Sequence, residues 1–137
     1  MTANQPLIIV VDDDFDALEI LRQVLEAGGF RVLAFLDPTE ALEQMRTTKP
    51  DLLITDLMMK FIDSGFSFTR LLSRDQRYQD LPIILVTSAV RKRGFMVQLQ
   101  DREDLAKMGI DAYFDKPVDP AKLLATVRAL LAPKNKE

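Results

Sequence analysis

Five short apolar runs, with helical periodicity between them, set the limits on what this chain can fold into. Leu7 to Val11 is continuous and rich in β-branched residues, and Phe30 to Phe35, Leu52 to Thr55, Ile83 to Val86 and Ala112 to Phe114 repeat the pattern. Such runs, closed by polar residues, read as strands buried on both faces. After the first, Ala17, Leu18, Leu21, Val24 and Leu25 recur at the spacing of one helix face, and Gly28-Gly29 supplies a left-handed stop. Asp37-Pro38-Thr39-Glu40 opens a second helix, with an acidic N-cap, proline in the first turn and glutamate three residues on; Leu42 and Met45 mark its buried face. Phe68, Leu71 and Leu72 belong to a third helix. Asp119-Pro120 caps a last one, whose Leu123, Leu124, Val127, Leu130 and Leu131 share a face.

Strands alternating with helices make an α/β fold with a parallel sheet, because right-handed crossovers lay helices over both faces. The common five-stranded arrangement is the flavodoxin-like order 2-1-3-4-5, whose ligand crevice lies at the carboxyl ends of the first and third strands. At 137 residues the chain is expected to be a single domain, 1–137, with a core over about 7–131 and tails at 1–6 and 133–137.

Polar residues end four of the five runs. Asp12, Asp13 and Asp14 follow the first, Asp56 the third, Thr87 and Ser88 the fourth, and Lys116 the fifth. In a parallel sheet these ends share one edge, so carboxylates should converge at the switch point with a hydroxyl and an ammonium beside them. Crowded carboxylates repel unless a positive charge neutralises them. A hard divalent cation with oxygen ligands suits the set, Mg²⁺ in particular. Thr87 and Lys116 then suit phosphate oxygens, and a carboxylate in line with a metal-bound phosphoryl group can act as its nucleophile.

Composition removes the competing chemistries. The chain has no cysteine and no histidine, so thiolate chemistry, zinc-thiolate sites and imidazole bases are absent. The net charge of −3 gives no basic face for nucleic acid, so no direct nucleic-acid binding is expected. The apolar run near the N-terminus is too short for a signal peptide or a membrane span, and a cytoplasmic location with no membrane contact is expected.

Val11-Asp12-Asp13, Asp56 after a strand introduced by Pro50-Asp51, Leu57-Met58-Met59, Thr87-Ser88 and Lys116-Pro117 together resemble the signature of response-regulator receiver domains of two-component signalling, of the single-domain type. The similarity spans roughly Leu7 to Leu131. The resemblance implies that Asp56 accepts a phosphoryl group from a histidine kinase or a histidine phosphotransfer protein. It implies that Asp13 binds Mg²⁺ directly, Asp12 holds a metal-bound water, and the Met58 backbone carbonyl completes the protein ligands beside Asp56. Thr87 would turn toward the phosphoryl group, Lys116 would pair with it, and Tyr113 would be the aromatic that moves with Thr87. The chain would thus be a phosphorylation-driven switch rather than an enzyme in the ordinary sense, limited to its own phosphorylation and dephosphorylation. Its active surface would be the family's fourth helix, fifth strand and fifth helix, and its output would pass to a downstream effector protein in trans. A homodimer through the last helices is compatible with the pattern.

The chain departs from the family pattern in two places. Lys60 stands where the family often has proline, in a loop that runs on through Phe61-Ile62-Asp63-Ser64-Gly65, and the stretch from Thr87 to Lys116, with Arg91-Lys92-Arg93-Gly94-Phe95, is longer than usual. Met58 and Ala89, two residues after Asp56 and Thr87, carry no group to orient an attacking water, so a long-lived aspartyl phosphate is expected. Two other functions fit parts of the pattern. Asp12-Asp13-Asp14 also matches the Asp-x-Asp nucleophile of a haloacid-dehalogenase-like phosphohydrolase, in which Asp12 would be phosphorylated. The unusual loops also fit a receiver-like module that docks a partner without phosphorylation.

Overall fold

Leu7–Val11 has no polar side chain to offer solvent, and it forms β1, an interior strand of the sheet buried along its whole length. The computed structural model describes residues 5–56, 72, 74–87 and 109–132. In chain order these give β1, α1 (Phe15–Ala27), β2 (Arg31–Phe35), α2 (Pro38–Met45), β3 (Leu52–Thr55), a 3₁₀ turn at Gln76–Tyr78, β4 (Ile83–Thr87), β5 (Ala112–Asp115) and α3 (Pro120–Leu131). The strands form one sheet in the order β2-β1-β3-β4-β5, every neighbouring pair parallel. This is the expected flavodoxin-like arrangement. The third helix read through Phe68 and Leu71 and the stretch from Ser88 to Met108 lie outside the described residues.

The alternation of side chains along each strand divides the core in two. Ile8, Val10, Leu52, Ile54, Ile84 and Val86 face Leu18, Leu21 and Leu25 of α1 and Leu123 and Val127 of α3. Ile9, Val11, Leu53, Ile83 and Leu85 face the other way, onto Ala41 and Met45 of α2. Each fully buried aliphatic side chain stabilises the fold by roughly 1.5–3 kcal/mol relative to an exposed one. The edge strands β2 and β5 are only half-buried.

The helices begin where aspartates cap them. Asp14 accepts from the Asp16 and Ala17 amides, Asp37 from Thr39, and Asp119 from Ala121 and Lys122. At the end of α1 it is Gly29 alone that takes the left-handed conformation, at φ 99°, while Gly28 remains right-handed. Gly28 serves another purpose: a Cβ there would lie 2.6 Å from Leu124 Cδ2, so the missing side chain lets α1 approach α3. Phe30 is not the first residue of β2 as the apolar run suggests. Its amide donates to Leu25 O at 3.1 Å and finishes the helix, so the strand starts one residue later.

Two aspartates set the strand register at the amino edge. The Leu7 amide donates to Asp51 Oδ2 at 2.8 Å and the Asp51 amide to Leu7 O at 2.7 Å. Asp111 repeats the arrangement, taking the Ile83 amide on Oδ2 at 2.9 Å and donating to Ile83 O at 2.8 Å. With Val11 paired to Thr55 and Thr87 to Asp115, the residues that follow β1, β3 and β5 arrive at one carboxyl edge.

Candidate functional site

Register places Asp12 and Asp56 side by side. The Asp56 amide donates to Val11 O at 3.0 Å, and the Asp12 amide to Phe35 O at 3.1 Å, so both residues prolong their ladders just beyond the strand ends. Their side chains are nearly closed off, with Asp12 1% and Asp56 6% exposed. Lys116, one residue past β5, reaches across the edge and donates from Nζ to Asp12 Oδ2 at 2.7 Å and to Asp56 Oδ2 at 2.9 Å. The Asp14 amide donates to the other Asp12 oxygen, Oδ1, at 2.9 Å. Asp13 stands exposed at the mouth, and Asp12, Asp13 and Asp56 each offer a carboxylate oxygen within 4.8 Å of the others.

Charge and burial conflict in this cluster. Burial pushes the Asp12 carboxyl up to about 6; the Lys116 and Asp14 hydrogen bonds pull it down and the Asp56 charge adds to the rise. Asp13 is also raised, by desolvation first and then by Asp56. Burial opposes the charge on Lys116, but its hydrogen bonds to Asp12 and Asp56 outweigh that and hold its pKa above the ordinary lysine value. Among the described residues, three carboxylates thus face one ammonium. A divalent cation with oxygen ligands would balance the set, and Asp12, Asp13 and Asp56 are the donors for it.

Of the seven site residues expected from the sequence, the described structure brings four together: Asp12, Asp13, Asp56 and Lys116. The backbone of Thr87 ends β4 beside Asp115, while its side chain lies outside the described residues. Met58 lies outside them too, as do Lys60, Ala89 and Arg91 to Arg93. Tyr113 is half-buried on β5, packed against the α2-side core, with its hydroxyl donating to Asp115 Oδ1 at 3.3 Å. Asp14 is the α1 cap.

Some features of the site carried no mark in the sequence. A groove of about 370 Å³ opens beside Lys116, bounded by Ala17 and Ile20 of α1, Val86 of β4 and the Pro117-Val118 turn. Ile20, in its wall, is 58% exposed although it belongs to an otherwise amphipathic helix. Its place beside Lys116 becomes evident only when the neighbouring strands are in place.

The family comparison decides the assignment: the sequence profile described as response regulator receiver domain matches residues 8–128. This chain belongs to the response regulator receiver domain family. The receiver is 36% identical over 126 residues to the response regulator Rre1 of Synechocystis, an alignment that covers 91% of this chain and 51% of Rre1. It is 27% identical over 124 residues to the polar-differentiation response regulator DivK of Brucella anthropi, covering 90% of this chain and 94% of DivK. Among solved structures, a CheY-like response regulator receiver domain protein from Methanospirillum hungatei has the same fold, with a TM-score of 0.78 at 24% identity over 93% of this chain and 94% of that one. The receiver spans about half the length of several of the curated relatives it matches. Receiver domains are signalling domains and partner with histidine kinases. Membership of the receiver family sets aside the reading of the chain as a haloacid-dehalogenase-like phosphohydrolase. Among the described residues no helix is long and apolar enough to cross a membrane.

Proposed function

We propose that the receiver takes a phosphoryl group onto Asp56 from the phosphohistidine of a kinase or phosphotransfer protein, and that the resulting charge shifts the domain between two surface states. The observation that carries this reading is the buried pairing of Asp56 with Lys116 at the carboxyl end of the central β3. A carboxylate held there, with a cation already at its oxygen, is prepared to receive a group that brings more negative charge.

Asp12, Asp13 and Asp56, with the Met58 carbonyl, are the proposed Mg²⁺ ligands. Bound Mg²⁺ would supply charge neutralisation for the transferring phosphoryl group. An Asp56 carboxylate oxygen attacks phosphorus, the phosphorus–nitrogen bond of phosphohistidine breaks, and the electron pair leaves with the donor imidazole. Lys116, already paired with Asp56, stays an ammonium and follows the new phosphoryl oxygens. Thr87, at the end of β4, is the hydroxyl proposed to close on the same oxygens, and Tyr113 the aromatic that answers its movement. The apolar groove next to Lys116, with the exposed Ile20 in its wall, offers a protein donor a surface beside the cation that pairs with Asp56.

The test uses the stable phosphoryl mimic beryllium trifluoride. Adding it with Mg²⁺ should shift backbone amide resonances around Asp56, Thr87 and Tyr113 in the wild type and leave Asp56→Asn unchanged. A wild-type spectrum indifferent to the mimic would instead favour a module that docks partners without phosphorylation.

A further inference from the structure

Among the described residues the buried polar side chains are Asp12, Asp56 and Thr55, apart from Tyr78, whose hydroxyl is bound to Met45 O. The two aspartates belong to the carboxylate site. Thr55 does not, and it is wholly buried. It lies directly between its sheet partners Val11 and Leu85, on the face of β3 shared with Leu53. Valine would fill nearly the same space there without a hydroxyl to satisfy, and an unpaired buried hydroxyl is unfavourable. Its Oγ1 donates instead to the carbonyl oxygen of Asp56 at 3.0 Å.

That bond completes a grip on Asp56 from both sides. β3 ends at Thr55, and the Asp56 amide is held by Val11 O at 3.0 Å. The carbonyl on the other side of the same α-carbon is held by Thr55. Since each peptide unit is planar, holding the one before and the one after leaves φ and ψ of Asp56 little freedom and so fixes the direction of its Cα–Cβ bond. We propose that Thr55 is a positioning residue for phosphoryl transfer, its hydroxyl aiming the Asp56 carboxylate at the incoming phosphorus; this rests on Asp56 being the phosphoacceptor.

The test compares Thr55→Val, which keeps the shape and loses the hydroxyl, with Thr55→Ser, which keeps the hydroxyl and loses a methyl group. Each is labelled with acetyl phosphate over a range of Mg²⁺, and its unfolding by urea is followed separately. Misaimed nucleophiles lose rate steeply, so T55V should show a limiting rate about tenfold lower with its Mg²⁺ half-saturation unchanged. T55S should react close to the wild-type rate even though the gap it leaves makes it easier to unfold. A purely structural residue would give the reverse order, with rate following stability. Wild-type rates in T55V, or equal slowing in T55S, overturn the proposal. Should T55V fail to fold, Thr55→Ala replaces it, a slow T55A beside a fast T55S supporting the proposal and a fast T55A overturning it. Absence of label on Asp56 in the wild type would contradict the phosphoacceptor reading, whereas a labelled wild type with an indifferent T55V contradicts this proposal alone.

Discussion

Lys116 Nζ lies 2.9 Å from Asp56 Oδ2, across 60 residues of chain, and the same ammonium is 2.7 Å from Asp12 Oδ2. One cation thus holds two buried carboxylates that would otherwise repel. Lys116→Met leaves both without it. Breaking a buried pair by removing one partner is strongly unfavourable, and Lys116 is partly solvated at 22% exposure, so a loss of about 2 kcal/mol is expected at neutral pH without metal. Urea unfolding in a chelator measures it. Added Mg²⁺ should recover part of the loss, and a variant as stable as the wild type in the chelator would show that the pair contributes nothing.

The protonation of Asp12 gives a pH dependence of defined sign. Its folded pKa of about 6 lies above the ordinary 3.8, so between these values the folded state holds the proton more tightly than the unfolded one. Stability of the metal-free receiver therefore falls as pH rises from about 4 to 6 and then levels off, with a limit of about 3 kcal/mol from this group. Asp12→Asn should flatten that part of the profile. Mg²⁺ binding needs the ionised carboxylates, so its affinity should weaken below about pH 6. A metal-free profile that rises through this window would contradict the assignment.

Ile20 stands 58% exposed beside the groove at Lys116, away from the reacting carboxylate. Ile20→Asp should lower kcat/KM with a phosphohistidine protein donor about tenfold, the scale of losing one apolar anchor at an interface. Labelling by acetyl phosphate should be unaffected. Equal losses with both donors would mean that the substitution had disturbed the site itself.

Asp111 sits at the opposite edge of the sheet, and Asp111→Ala removes the acceptor of the Ile83 amide. A loss of about 1–2 kcal/mol is expected on urea unfolding. The rate of labelling at pH 7 should hold, because the carboxyl edge is untouched. A large loss of rate at little loss of stability would be the contrary result.

The reach of the sequence is clearest when the two ends of the sheet are compared. The carboxyl edge was legible because strand topology converts position into proximity: Asp12, Asp56 and Lys116 each follow an apolar run of a parallel sheet and so share one edge, where the long Lys116 side chain spans the strands between. The strand order came from the common arrangement for five such strands, and the helix caps at Asp37 and Asp119 from local pattern. The amino edge was not read that way. Asp51 and Asp111 each stand one residue before a strand, yet their role depends on which neighbour pairs with that strand, and a local pattern contains no such information. The hydroxyl of Thr55 was hidden for another reason. Threonine suits a strand on propensity alone, so its bond to the Asp56 carbonyl becomes visible only in the folded backbone. The division of labour within Gly28-Gly29 also needed the position of Leu124.

Mapping the labelled residue tests the central claim most directly. The wild-type receiver is incubated with acetyl phosphate and Mg²⁺, the aspartyl phosphate is trapped by reduction, and the peptides are sequenced by mass spectrometry. Label on Asp56, absent from Asp56→Asn, is the expected result. Label on Asp12, or none in a folded wild-type protein, would contradict it.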